Sequence, residues 1–494
     1  MTPPQFYNRP MGSHVLIMKK PSASPALWRV SAIQSRMGQC RLWPLIAVLF
    51  LGGLSHAVSA ASPALTHGVA SGDVTDTSAV IWARANGGTR LVVEYTDSPE
   101  FRNVQTGGTV QVTSQTDFTG TVVLTDLRPA TRYAYRVRLQ ESATSESVSG
   151  SFLTAPEPSQ PRDITFLWGG DLGRKDLCRR PEYTIFKPMK TLAADFFVFG
   201  GDTIYADSAC ASPPNVPGAD FVAKTQKQFW AKHRYQRGDR PLQELLATTP
   251  VYAVWDDHEV DGDFSGPTTR LAPLGFKAFF DYFPIRRVSE EPWRLYRSFR
   301  WGKHLELFIL DTRQYRSPNW QADGPTKTML GPAQLRWLLE RLAASTATWK
   351  VIVSSVPLSA HTGSFLTGHD GWGKGALAGG ARTELGTIVA LLRDRHVRNV
   401  AWLSSDIHVA RSLSYDPNQD GTPDFYEFIS GPLSARPGNF DPLDQTFHPT
   451  LLYQETDFFN FGVVKINGDS GVLSVEIRDQ KGKIHYSFTL PAPS

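Results

Sequence analysis

Cysteine is scarce: Cys40, Cys178 and Cys210 are the only three in 494 residues, which excludes a fold held together mainly by disulfides. Long apolar runs are missing as well. The longest, Trp43 to Leu54, is twelve residues broken by Pro44 and two glycines, well short of the roughly 20 that span a bilayer. It follows Arg36 and Arg41 and precedes Val58-Ser59-Ala60, small residues of the kind a signal peptidase reads. Residues 1–60 are therefore expected to be a cleaved leader, with translation beginning at Met1, Met11, Met18 or Met37, and the mature chain is expected in the periplasm or secreted, with no membrane anchor. Cleavage leaves Cys178 and Cys210 as an even pair in a compartment that permits a disulfide; a bridge and two free thiols are both open readings.

An excess of basic charge is also lacking. The formal net charge of +4 arises in the leader, which holds six Lys/Arg and no Asp/Glu; without it, 45 basic residues face 47 acidic ones. No nucleic-acid-binding face is implied. There is no internal repeat and no low-complexity tract. No serine lies in a Gly-x-Ser-x-Gly context, so a serine nucleophile of that type is absent.

What is present divides in two. From Leu65 to Pro156 short alternating runs, such as Ser78 to Ala83, Leu91 to Tyr95, Thr121 to Leu124 and Tyr133 to Leu139, predict an antiparallel β-sandwich over 65–156. Pro156-Glu157-Pro158-Ser159-Gln160-Pro161 reads as a linker. Over 162–494 strands alternate with helical segments. Ile164 to Trp168, Phe196 to Phe199, Val251 to Val254, Leu305 to Leu310, Val351 to Val353 and Val400 to Leu403 read as strands, Tyr183 to Leu192, Gln334 to Ala343 and Arg382 to Arg395 as helices, and residues 462–490 as a closing β-meander.

Four acidic segments each follow an apolar strand: Gly170-Asp171, Gly201-Asp202-Thr203-Ile204-Tyr205, Trp255-Asp256-Asp257-His258-Glu259 and Ser405-Asp406-Ile407-His408. A buried strand has no structural use for the charge that follows it. Carboxylates, a phenol and imidazoles converging at the carboxyl edge of a sheet can hold two cations. Asp202 is the candidate bridging ligand. Tyr205 offers a phenolate, a hard anion that favours Fe3+ over Zn2+ or Mg2+. Asp257 is assigned to the second metal, and His258 to a developing phosphate charge or a leaving oxygen. Asp406 and His408, two apart in an extended segment, are expected to point the same way, one to each ion. His361 and His369 sit in a Gly-rich loop read as a substrate lid. His67, His233, His304, His396, His448 and His485 are expected at the surface or as caps. Asp416, Asn418, Asp420, Gly421 and Glu427 match a calcium-loop pattern formally; the competing reading is a polar β-turn.

In this order the segments resemble the PhoD-like alkaline phosphatase D family of calcineurin-like metallophosphoesterases. Its signature also appears in His67-Gly68-Val69-Ala70-Ser71-Gly72-Asp73, in Leu310 to Arg316 and in Glu427-Phe428-Ile429-Ser430-Gly431-Pro432. Leu127-Arg128-Pro129-Ala130-Thr131-Arg132-Tyr133 resembles the strand corner of fibronectin type III domains. The resemblance implies an α/β four-layer sandwich, two β-sheets flanked by helices, after an N-terminal fibronectin III-like β-sandwich. It further implies that Asp171, Asp202, Tyr205 and His408 hold Fe3+, that Asp202, Asp257 and Asp406 hold the second ion, and that Arg313 either touches substrate phosphate or forms an ion pair behind the site. Members commonly carry Ser-Cys where this chain has Gly170-Asp171, so here a carboxylate replaces a thiolate. Val356 stands where related enzymes place a histidine, leaving a second site of oxygens, which suits Ca2+, Mg2+ or Mn2+; the resemblance favours Ca2+. A twin-arginine export pair is absent.

The expected activity is phosphoric ester hydrolysis by a metal-activated water, acting on small phosphate esters or phospholipid head groups, with the protein a monomer. A phosphodiesterase or phospholipase D-type enzyme is the alternative within that class, and a secreted non-catalytic binding protein the alternative outside it.

Overall fold

The computed structural model describes residues 63–140, 146–173, 182–209, 219–364, 368–374 and 379–491. The expected leader and the Cys178 and Cys210 pair lie outside these residues.

Seven strands come first: β1 (Leu65–Gly72), β2 (Ala79–Ala85), β3 (Thr89–Thr96), β4 (Gln105–Val112), β5 (Thr119–Leu124), β6 (Arg132–Leu139) and β7 (Ser147–Leu153). Their alternation buries Leu91 and Val93 of β3 and Tyr133, Tyr135 and Val137 of β6 against Val69, Ile81 and Ala83 of β1 and β2. The result is a sandwich, with β1, β2 and β5 on one side and β4, β3, β6 and β7 on the other. At the corner before β6 the Arg128 N–H donates to Tyr133 Oη at 2.9 Å.

The second part begins with β8 (Ile164–Gly169), α1 (Phe186–Thr191), β9 (Phe196–Phe199), α2 (Gln226–Arg237), α3 (Arg240–Thr248), β10 (Val251–Ala253) and α4 (Ala272–Tyr282). Then follow β11 (Arg297–Trp301), β12 (Leu305–Ile309), α5 (Gly331–Ala344), β13 (Trp349–Val353), β14 (Gly363–Ser364), β15 (Gly368–His369), α6 (Arg382–Asp394), β16 (Val400–Ser404), β17 (Ala410–Tyr415) and β18 (Phe425–Ile429). β19 (Pro449–Glu455), β20 (Asn460–Ile466), β21 (Leu473–Asp479) and β22 (Ile484–Leu490) complete the chain. The strands form a nine-stranded sheet, β22-β21-β20-β8-β9-β10-β1-β2-β5, and a seven-stranded sheet, β11-β12-β13-β16-β18-β17-β19.

Both sheets are packed on both faces, which is why their central strands are apolar throughout. Between the sheets Phe166 stacks on Phe196 at 4.6 Å, and Phe196 meets Trp301 of the facing sheet at 4.8 Å. Outside the first sheet Phe199 meets Phe283 just after α4; outside the second, Phe308, Ile352 and Trp402 pack on Leu338, Leu342, Leu385 and Ile388 of α5 and α6. The layers are helix, sheet, sheet, helix. The sandwich is continuous with them, because Gly72 of β1 pairs in parallel with Val251 of β10, and residues 61–494 form one compact unit. The Pro156–Pro161 segment is tied down rather than loose: Pro156 O accepts from Gly302 N and Gln160 O from Lys303 N.

Several readings of the sequence need correction. Helix α2 was not legible from apolar spacing, whereas α3, with Leu242, Leu245 and Leu246 at helical spacing, and α4, with Phe276, Phe279 and Phe280, were passed over. His233 and His304 are buried, the first stacked on Tyr282 at 5.1 Å, the second bonded to Thr348 Oγ1 and Gly468 O, so neither is a surface residue. The calcium-loop pattern does not close. Asp416, Asn418 and Asp420 accept from backbone N–H groups inside their own turn, while Glu427, in the middle of β18, is buried and accepts from Leu358 N, Ser404 Oγ and Tyr415 Oη. The polar β-turn reading holds.

Two measurements follow from the packing. A Cβ at Gly462 would lie 1.9 Å from the Trp168 ring, so Gly462→Ala forces β8 and β20 apart; we expect a loss of about 1–3 kcal/mol in urea unfolding. Burial, and secondarily Arg237, lower the His233 pKa from 6.5 to about 3. Below pH 6.5 the unfolded chain therefore takes up a proton that the folded chain refuses, and stability falls as pH drops toward 3. His233→Phe should flatten that slope by up to about 1.4 kcal/mol per pH unit, and equal slopes in the two proteins would remove His233 as the cause.

Candidate metal centre

β8, β9 and β10 run parallel, as do β12, β13, β16 and β18, so the exits of seven strands gather at one edge of the two sheets. Asp171 follows β8, Asp202 follows β9, Asp256 to Glu259 follow β10, and Asp406 to His408 follow β16. At these exits Asp171, Asp202, Asp406 and His408 have φ of 64, 51, 74 and 57°, the left-handed region that non-glycine residues seldom occupy. Such strain marks positions that the surrounding structure over-determines. It also corrects the extended reading of Asp406 and His408: a left-handed turn, not strand alternation, aims these two side chains. Gly431 is required by close approach, since a Cβ there would sit 2.3 Å from Asp171 Oδ2.

The ligand atoms of Asp171, Asp202 and His408 lie within 4.8 Å of one another, as do those of Asp202, Asp257 and His258, and those of Asp256, Asp257 and Asp406. Asp202 belongs to two of these groups. Tyr205 Oη lies 3.0 Å from His408 Nε2, and His408 Nδ1 bonds Arg436 O at 2.7 Å. That second bond puts the proton on Nδ1 and leaves the Nε2 lone pair facing the group. Asp171 Oδ2, Asp256 Oδ2, Asp257 Oδ1 and Asp406 Oδ2 are buried with no hydrogen-bond donor among the described residues. Four donorless carboxylate oxygens at one sheet edge are a poor protein interior and a good cation cage. The residues present fit bound metal.

The electrostatics agree. Burial first, then like charges such as Asp256 and Asp257, raise Asp171, Asp202 and Asp406 above the usual carboxylate range. Burial alone would raise Asp257 too, but His258 and Arg313 outweigh it and hold it low. Burial and the Asp202 and Asp171 carboxylates oppose ionisation of the Tyr205 phenol, so a phenolate there requires a cation beside it. Burial would lower His258, yet Asp257, Asp202 and Asp207 together push it well above 6.5.

His258 Nδ1 is bonded to Asp207 at 2.8 Å and Nε2 is 3.9 Å from Asp202 Oδ2, in a side chain 25% exposed. Arg313 is the opposite case. Its guanidinium is 0% exposed; Nε donates to Asp256 Oδ1 at 2.6 Å, and Nη1 and Nη2 donate to Asp370 at 2.7 and 2.6 Å. Of the two readings of Arg313, the geometry is that of the ion pair behind the site. Val356 packs in the outer core, and the neighbour that reaches the site is Ser355, bonded to Asp256 Oδ1. His369 is buried with its ring 4.8 Å from His361; residues 365–367 and 375–378 of the loop read as a lid lie outside the described residues.

A model of the "PhoD-like phosphatase" family matches residues 177–477, and one of the "PhoD-like phosphatase, N-terminal domain" matches residues 53–156. This chain belongs to the PhoD-like phosphatase family. Alkaline phosphatase D of Bacillus subtilis (strain 168) is 26% identical over 446 residues, covering 80% of this chain and 73% of that protein. The solved structure of PhoD superposes with a TM-score of 0.70 at 20% identity, over 87% of this chain and 92% of that one. A purple acid phosphatase from yellow lupin (Lupinus luteus) seeds superposes with a TM-score of 0.60 at 15% identity, over 87% and 74% of the two chains. These two likenesses concern the fold.

Within this PhoD-like site the sequence reading passed over Asp207, Asp256 and Asp370. Asp256 stands in a doublet with Asp257, and only the fold shows that both turn inward. Asp370, buried, accepts from Arg313, Arg316 and Asn319, and its only sequence signal is a place in a Gly-rich loop. The geometry of Arg313 has a measurable consequence. Arg313→Met takes the guanidinium from Asp256, which keeps Ser355, and one of two from Asp370, which keeps Arg316 and Asn319, and should cost about 3–5 kcal/mol of stability. A variant that unfolds like the parent but shows a raised KM would instead return Arg313 to the substrate.

Proposed function

We propose that this chain is an exported alkaline phosphatase D-like hydrolase of phosphate esters that uses water as the nucleophile. The observation that carries the reading is Asp202, shared between two ligand groups at an edge where, among the described residues, four other carboxylate oxygens are buried without a donor. In this reading Asp171, Asp202, Tyr205 and His408 hold Fe3+, and Asp202, Asp257 and Asp406, with Asp256 beside them, hold Ca2+ or, in its place, Mg2+ or Mn2+. A phenol, an imidazole and carboxylates suit a hard trivalent ion, and an all-carboxylate group suits calcium. When bound, such ions acidify water and draw charge from phosphoryl oxygens.

The chain's own residues do the rest. Glu259 accepts from Thr203 N, Thr203 Oγ1 and Asp256 N, locking the Asp202 turn to the Asp256 turn. Asp207 accepts from His258 Nδ1 and orients the ring with Nε2 toward the site, and the carboxylates of Asp257, Asp202 and Asp207 favour the doubly protonated imidazolium, whose Nε2–H is the proton to give. From there His258 protonates the leaving oxygen. Arg313 offsets the charge of Asp256 and Asp370 and fixes Asp256 in place. Export rests on the leader reading of residues 1–60, and a mature N-terminus at or near Ala61 would support it.

Hydrolysis of p-nitrophenyl phosphate, bis-p-nitrophenyl phosphate and phosphatidylcholine by the purified protein tests the reading. Monoester turnover that EGTA stops and Ca2+ restores is expected; turnover of the diester or the lipid alone would move the function to a phosphodiesterase, and turnover of none would favour a binding protein. Tyr205→Phe should abolish a visible phenolate-to-iron absorption band, and Asp202→Asn should lose both metals.

His258→Ala separates chemistry from metal binding. We expect both ions to be retained and kcat to fall roughly 10²–10⁴-fold, least for nitrophenyl esters, whose leaving groups need little protonation. Loss of a metal would make His258 a ligand instead.

A further inference from the structure

Away from the metal centre, the C-terminal end of α2 buries a cation that no carboxylate meets among the described residues. Arg237 is 3% exposed, and Nε, Nη1 and Nη2 are all buried without a hydrogen-bond acceptor among the described residues. The Trp82 ring of β2 covers one face of the guanidinium, 4.2 Å from its carbon. That contact uses the face; the N–H groups lie in the plane and still require acceptors. The carboxylate of this region, Asp117, is already committed. Its Oδ2 accepts from Arg84 Nε at 3.3 Å, from Arg234 Nη1 at 2.5 Å and from Tyr282 Oη. Three guanidiniums thus stand against one carboxylate, and Arg237 is the one left over.

Neighbouring groups register the same excess. Burial and then Arg84, Arg237 and Arg234 lower His67 to about 4, while burial and then Arg237 lower His233 to about 3. Both imidazoles are therefore neutral near pH 7, and among the described residues His67 Nδ1 and His233 Nε2 are themselves buried without partners. The location matters to the fold. Trp82 belongs to the sandwich strands, Arg237 to the phosphatase layer, and Gln236, next in the chain, donates to Leu172 O at 2.6 Å, one residue beyond Asp171.

We propose that Arg237 binds a small monovalent inorganic anion of the chloride class in a closed site between the end of α2 and β2. A water molecule would satisfy an N–H but leave the charge buried and unpaired, which a protein interior tolerates poorly. A halide supplies both charge and acceptor. The fully buried side chains of Trp82 and Tyr282 crowd the region, which argues for a small ion over a tetrahedral oxyanion.

The test uses the full-length mature protein with bromide as the probe. Crystals grown in sodium bromide should show an anomalous peak within bonding distance of the Arg237 nitrogens. In solution, the melting temperature should be a few degrees higher in sodium chloride or bromide than in sodium gluconate of equal ionic strength. That difference should vanish in Arg237→Met. Should this variant not fold, the diffraction result and the parent's halide dependence decide alone. Density at Arg237 without anomalous signal, or equal melting in halide and gluconate, would overturn the proposal.

Discussion

Five carboxylates converge at the edge where two sheets meet: those of Asp171, Asp202, Asp256 and Asp257 are buried, and Asp406 is half-buried with its Oδ2 enclosed. Like charges in a low-dielectric interior repel strongly, and the arrangement persists only because the rest of the fold compels it. Left-handed backbone at Asp171, Asp202 and Asp406 aims side chains that ordinary strand geometry would send elsewhere. Glu259 ties two of the exits together from behind, and Arg313 and Arg316 hold Asp370 as a counterweight on the far side of Asp256. Every layer serves to keep the strand exits from moving apart. The aromatic contacts between the sheets, Phe196 against Trp301 among them, set the distance across which His408 of one sheet meets Asp171 and Asp202 of the other.

The sandwich takes part in the same task. It joins the main sheet through β1 and β10, and Asp73, just after β1, bonds Arg286 N and Arg297, the latter at the start of β11 in the facing sheet. Arg297 in turn donates to Ala253 O, at the end of the strand that leads to Asp256 and Asp257. A charge on the first strand is thus linked through one arginine to both sheets and to the exit that carries the acidic doublet.

The strand exits were legible because the sequence contradicts itself there: Phe196 to Phe199 is a run only a buried strand would carry, and the Asp202 that follows has no structural reason to be charged. Helix α2 was illegible for the converse reason. Its buried face includes Lys232, His233, Gln236 and Arg237, so apolar periodicity is absent although the helix is well packed. Pattern alone also misled at Asp416 to Glu427, where spacing matched a calcium loop but a strand carries Glu427 into the core. Asp406 and His408 were identified as residues yet assigned the wrong backbone, since alternation assumes extended geometry and a left-handed turn can converge two side chains just as well. Whether Arg313 faced substrate or carboxylate was undecidable from sequence, because Asp370, its partner, is 57 residues away in a loop of no fixed pattern.

Burial by itself does not separate chemistry from architecture in this chain; satisfaction does. Glu427, Glu384, Asp281 and Asp311 are as buried as the metal-centre carboxylates, and each is met by donors: Glu427 by Leu358, Ser404 and Tyr415, Glu384 by Thr328, Met329 and Leu330, Asp281 by Trp230, Lys277 and Arg287, and Asp311 by Trp255, Arg313 and Gln314. These are closed accounts of charge, and their role is to fix loops and helices. Asp171, Asp256, Asp257 and Asp406 each keep one oxygen that no donor among the described residues reaches. An interior that satisfies its structural acids so thoroughly does not leave four oxygens open at one edge without a ligand to fill them. The same reasoning applied to cations picks out Arg237 from Arg84, Arg234 and Arg313, whose guanidiniums all meet carboxylates, and this is why one rule points to a cation at the strand exits and to an anion at the end of α2.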